Sequence, residues 1–72
     1  MTQWEPVPVL ALVFGMSRSA VRRDLSAGAF YIRGDGWTRV EPDDMFEAPG
    51  RPAVAILRHG KRDVRLAEFP EP

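Results

Sequence analysis

Two groups of cations stand out in a chain of 72 residues whose formal charges cancel, ten Lys and Arg against ten Asp and Glu. The first lies in GMSRSAVRRDLSAGAFYI, where Ser17, Arg18 and Ser19 precede Arg22 and Arg23. The second lies in ILRHGKRDVRL, where Arg58, Lys61, Arg62 and Arg65 surround His59. Guanidinium groups offer planar, bidentate donors to phosphate oxygens. A helix start adds free N–H groups and a partial positive charge. Ser17, Arg18 and Ser19 stand where such a start is expected, and Arg22 repeats the Arg18 face one turn on. The chemistry this suggests is recognition of a phosphate backbone. The competing reading is a solvated helix face, and for Lys61 and Arg62 a solvated turn. An acidic block, Glu41, Asp43, Asp44 and Glu47, separates the two groups. Charge segregated in this way can leave a local basic patch on a neutral chain.

Other chemistries have little to build on. There is no cysteine, which excludes disulfides, thiolate metal sites and thiol catalysis. The single histidine, His59, has no evident catalytic partner and reads as a turn residue. Asp43 and Asp44 sit in a proline-containing stretch and read as loop rather than as a metal pair. Ser19 has no candidate base. The expectation is a non-enzyme with no metal and no cofactor. Tyr31 and Trp37 could stack on bases, but a small domain also needs core aromatics. The longest apolar run, Val7 to Phe14, contains Pro8 and is too short to span a bilayer. No signal-peptide pattern opens the chain, so a cytoplasmic location without a membrane partner is expected.

The elements that must position these residues follow from pattern. At this length the chain is one domain, residues 1–72, burying only about 60% of the surface of its unfolded form. Apolar residues make up 44% and charged residues 28%, a globular composition. Residues 1–6 read as an extended lead-in, with Trp4 packing back. VPVLALVFG reads as a short buried helix with Pro8 in its first turn and Gly15 at its close; a buried strand is the rival. Ser17 is a good N-cap for a helix from about Arg18 to Ala27, with Ala20, Val21 and Leu25 facing a core and Gly28 ending it. AFYIRGDGWTRVEP reads as two short strands around a tight turn in which GDG supplies positive φ angles. EPDDMFEAPGRP reads as loop, anchored by Met45 and Phe46 dipping inward. AVAILRHGKRDVRLAEF is the clearest hairpin. Its turn lies around His59-Gly60-Lys61. Val54, Ile56 and Arg58 share one face of the first arm, and Val64 and Leu66 one face of the second. The final PEP should fray. The order predicts an α+β domain: two short N-terminal helices, helix-turn-helix-like, packed on a small, mainly antiparallel sheet of about four strands.

SRSAVRR opening the second helix, with Gly28 and then AFYIRGD after it, resembles the RNA-binding domain named after ribosomal protein S-four, the alpha-L motif. The matching positions are Ser17, Arg18, Ser19, Arg22, Arg23, Gly28 and Gly34. ILRHGKRDVRL resembles the closing hairpin of the C-terminal domain of bacterial tyrosyl-tRNA synthetases, with its GKR turn. The resemblance covers residues 7–69, leaving 70–72 as a tail. Three features differ: Asp24 directly follows the arginine pair, GDG replaces the usual asparagine-glycine turn, and the acidic block is heavy. Neither nucleotide-binding motif of a synthetase catalytic domain occurs, so the resemblance implies no aminoacylation. It implies structured RNA, tRNA or rRNA, bound through Ser17, Arg18, Ser19, Arg22, Arg23, Lys61 and Arg62, and read by shape and backbone. Two other readings stand beside it. One is a protein-interaction module on the same fold that has lost RNA binding, as in a phage-type mimic of a host protein. The other is a small DNA-binding helix-turn-helix regulator, since LALVFGMSRSAVRRDLSAG also scans as helix, turn and recognition helix.

Overall fold

The structure is a computed structural model that describes residues 2–48 and 54–69. Strand β1 (Thr2–Trp4) leads into helices α1 (Pro6–Phe14) and α2 (Arg18–Ser26). Strands β2 (Phe30–Arg33), β3 (Trp37–Arg39), β4 (Phe46–Ala48), β5 (Val54–His59) and β6 (Asp63–Glu68) follow. The main sheet is antiparallel in the order β3-β2-β5-β6, and β1 pairs with β4 in a separate two-stranded ribbon. This is the expected α+β arrangement, with the helices N-terminal and a four-stranded sheet.

Helix α1 is apolar nearly all round, and its burial follows its contacts. Val9, Leu10 and Phe14 enter the core, while Leu12 stays 75% exposed. The helix begins at Pro6 and stops at Gly15. Helix α2 is amphipathic in the usual sense: Val21 and Leu25, one turn apart, are buried, and its arginines are outside. The Ser17 side chain accepts a hydrogen bond from the Ala20 N–H at 3.1 Å, which satisfies one of the donors that a helix start leaves open. Ala27 lies just past the last turn. Gly28 then takes φ +74°, and a Cβ there would stand 2.9 Å from Arg39 Cδ. The backbone angle therefore favours glycine, whereas the close atom belongs to a flexible, exposed side chain that can move aside. The core gathers Leu10, Val21, Leu25, Phe30, Val40 and Leu57 between the helices and one face of the sheet.

Several expectations are corrected. The lead-in is extended and Trp4 packs back, as expected, but it also forms a paired strand: Trp4 pairs with Phe46, and its ring lies 4.9 Å from that of Phe69, which in turn stacks on Phe46 at 5.6 Å. The stretch read as loop therefore contains β4, whose three residues are too few to show periodicity. Phe46 dips inward as expected, but Met45 is 42% exposed, because it lies just before the strand whose alternation carries Phe46 inside. Gly34 and Gly36 do not adopt positive φ; the turn closes instead through the Gly34 N–H donating to the Gly36 carbonyl at 2.8 Å. The face shared by Val54, Ile56, Arg58, Val64 and Leu66 looks outward, whereas Leu57 and Ala67 face the core. The expected fraying of residues 70–72, and the loop reading of residues 49–52, lie outside the described residues.

Candidate nucleic-acid interface

Helix α2 carries most of the residues read as phosphate-binding. Arg18, Ser19, Arg22 and Arg23 are all exposed on it. Arg18 and Arg22 are four residues apart, roughly 6 Å along the axis, and both line a cleft of about 350 Å³. The start of α1, with Glu5 and Pro6, and the Pro42–Met45 segment form the rest of its wall. Ser17 is engaged as the N-cap, so its oxygen already accepts a bond and its hydroxyl hydrogen is what it has left to donate.

The far end of α2 is built differently. Asp24 Oδ2 lies 2.9 Å from His59 Nε2, joining residues 35 apart in sequence. Arg23 Nε donates to Asp24 Oδ1 at 3.3 Å. The hydrogen bond from His59, helped by Arg23, holds the Asp24 carboxyl below its ordinary value against the opposing effect of desolvation. His59 is therefore not a free turn residue. It closes β5, stacks on Phe30 at 4.6 Å with planes 22° apart, and moors the hairpin to α2. The Gly60 N–H adds a 2.7 Å bond to the Ala29 carbonyl. Lys61 and Arg62, exposed in the turn that follows, thus belong to a turn fastened at the C-terminal end of α2. Ser17 and Arg18 are at the other end, about 9 Å of helix rise from Asp24. The structure fastens the hairpin turn to the C-terminal end of the helix that carries the first basic group, so the two groups do not form one cluster.

The distribution of partners separates the cations further. Arg23 pairs with Asp24, Arg39 with Glu41 at 3.0 Å, and Arg65 with Asp63 at 3.0 Å. Among the described residues, Arg18, Arg22, Lys61 and Arg62 have no carboxylate partner. The acidic block is largely occupied. Glu41 holds Arg39, Asp44 accepts the Glu41 N–H at 2.8 Å to close a turn, and Glu47 accepts from Gln3 at 2.8 Å.

A second constellation joins Tyr31 and Trp37, which the sequence offers for base stacking, to Arg33 and Arg58, which it does not connect with them. Arg58 places its guanidinium 4.3 Å from the Tyr31 ring centre and 4.7 Å from that of Trp37, and Arg33 lies 5.5 Å from Trp37. The available signal was the strand alternation, which puts Tyr31, Arg33 and Arg58 on the same parity as the exposed aliphatic residues. Among the described residues no group of three or more His, Asp or Glu side chains is placed to hold a metal ion. No helix among them is long and apolar enough to cross a membrane. Comparison with protein-family models, with curated proteins and with solved structures finds no match to this chain.

Proposed function

We propose that the chain is a small, non-catalytic module that binds structured RNA, such as tRNA or rRNA, through the outer face of α2 and the β5–β6 turn. The observation that carries this reading is that, among the described residues, the exposed cations Arg18 and Arg22 of α2 and Lys61 and Arg62 of the β5–β6 turn have no carboxylate partner, whereas Arg23, Arg39 and Arg65 are paired. A cation already bonded to a carboxylate must give up that contact to meet a phosphate; an unpaired one gives up only water and counterions. Ser19 and the Ser17 hydroxyl add donors at the helix start, while Arg23 flanks the surface with its charge matched by Asp24. The sequence resemblance to S-four-like domains points to the same helix. Backbone contacts of this kind read the shape of a duplex rather than its base sequence.

Four phosphate contacts give a slope of log affinity against log salt of roughly −3 to −4. Fluorescence anisotropy with a labelled RNA stem-loop and a matched DNA duplex, at low and moderate salt, tests the reading. RNA is expected to bind better than DNA with that slope. Arg18→Glu combined with Arg22→Glu is expected to reduce RNA binding at least tenfold while the circular dichroism spectrum is unchanged. Unaltered affinity in a folded double variant removes α2 as the site. Preference for duplex DNA turns the helix pair into a helix-turn-helix reader.

A further inference from the structure

Among the described residues, no helix or strand covers the outward face of the four-stranded sheet, where Val54, Ile56, Val64 and Leu66 stand exposed. The register sets Tyr31 opposite both Arg39 and Arg58, and Arg33 opposite Trp37. Residues directly opposite one another share a face, so these five side chains stand together. Their sequence neighbours Phe30 and Leu57 are fully buried on the other side, under the helices. Arg58 lies against both Tyr31 and Trp37, and Arg33 against Trp37. Among the described residues neither Arg33 nor Arg58 has a carboxylate partner. The Arg58 Nε is buried without any hydrogen-bond acceptor.

We propose that this face is a second site, which binds single-stranded RNA. Stacking against the rings orders the guanidinium planes and removes part of their water, yet leaves their charge without a counter-ion. A ligand that matches must bring an anion and flat apolar surfaces together. Single-stranded nucleic acid does so at every nucleotide: bases stack on rings and guanidinium planes, and phosphates meet the cations. The adjoining part of the face, with Ile56 43%, Val64 50% and Leu66 70% exposed, extends an apolar floor beside the aromatic half. A carboxylate-bearing protein would satisfy the charge, but it would not call for rings interleaved with guanidinium groups. The site goes beyond the α2 surface, because the helices cover the opposite face of the sheet.

The test is a titration of single-stranded decauridine into the full chain carrying Trp4→Phe, which leaves Trp37 as the only indole. Saturable quenching of Trp37 is expected at low salt, weakening at moderate salt. Arg58→Met is expected to lower the affinity roughly tenfold, and the exposed Arg33→Gln to lower it severalfold if Arg58→Met perturbs folding. Arg18→Glu with Arg22→Glu should leave this titration unchanged while removing stem-loop binding, so the two sites fail independently. Absence of quenching at low salt overturns the proposal, as does quenching that both arginine variants leave unaltered. It is equally overturned if light scattering shows a dimer that Leu66→Lys dissolves and decauridine does not bind, because a second copy is then the occupant of the face.

Discussion

The two halves of α2 use the same residue types for different ends. In its first turns Arg18 and Arg22 are exposed and unpaired, lining a cleft. In its last turn Asp24 accepts from Arg23 and is bonded to His59 of β5, which is stacked on the core residue Phe30. One half is surface that can be given to a ligand; the other is a fastening between a helix and a hairpin 35 residues away. The comparison shows that availability, rather than the number of cations, decides what a basic stretch can do. Several acids are taken up by Arg39, Arg65, Arg23 and a backbone turn, so a chain of zero net charge still presents exposed cations without a carboxylate partner among the described residues: Arg18, Arg22, Arg33, Lys61 and Arg62.

The fastening can be broken from beneath or from within. Phe30 is fully buried and packs on Phe14 at 5.6 Å as well as on His59. Phe30→Ala should therefore cost about 3–5 kcal/mol, a large share of the 5–15 kcal/mol typical of a domain. Urea unfolding measures it, and a loss below about 1 kcal/mol would mean that His59 is not held by this core. Asp24→Asn removes the charge-assisted bond to His59 while keeping the shape. It should cost about 1 kcal/mol and leave the exposed Arg18 and Arg22 untouched. The pH dependence has a defined sign. Because the folded-state Asp24 value is lowered from 3.8, its contribution is complete above that ordinary value and is lost as pH falls through the lower folded one. Thermal melts should converge for the native chain and Asp24→Asn at the acid end and separate above pH 5. Parallel curves across this range would show that the bond adds no stability.

Much of this arrangement was legible in the sequence, and the gaps have physical causes. Ser17, the Val21–Leu25 pair and Gly28 mark α2 because capping, helical spacing and a positive-φ terminus are local requirements. The β5–β6 hairpin shows itself through two β-rich arms around Gly60. Its inward side did not, because Val54, Ile56, Val64 and Leu66 are as apolar as Leu57 and Ala67, and only the helices overhead decide which set is covered. The β1–β4 ribbon escaped because two three-residue strands far apart carry no period. GDG failed as a positive-φ signal because the chain turns there in another way. Of the site, the helix residues could be read. The Asp24–His59 bond could not, since nothing local links a residue after an arginine pair to one before a glycine turn.

Two smaller perturbations act on the free half of the helix. Ser17→Ala removes the bond to the Ala20 N–H and should cost about 1 kcal/mol. The effect should appear in hydrogen exchange as faster opening of the first turn of α2, with the Asp24 end unchanged. Uniform acceleration along the helix would mean that the two halves open together and are not separate in stability.

The finest test sets Arg22 against its neighbour. Both are exposed arginines on one helix turn, and they differ in that Arg23 bonds Asp24 while Arg22 has no carboxylate among the described residues. Arg22→Ala should lower the salt slope of stem-loop binding by about one unit, whereas Arg23→Ala should leave it nearly unchanged, since its charge is already matched. Equal losses would show that RNA displaces Asp24 from Arg23. That displacement would leave His59 as the carboxylate's remaining partner, so the Asp24→Asn variant, with nothing to displace, would then bind RNA more tightly than the native chain. Binding by Asp24→Asn that matches the native affinity would instead keep the fastening and the interface as separate parts of one helix.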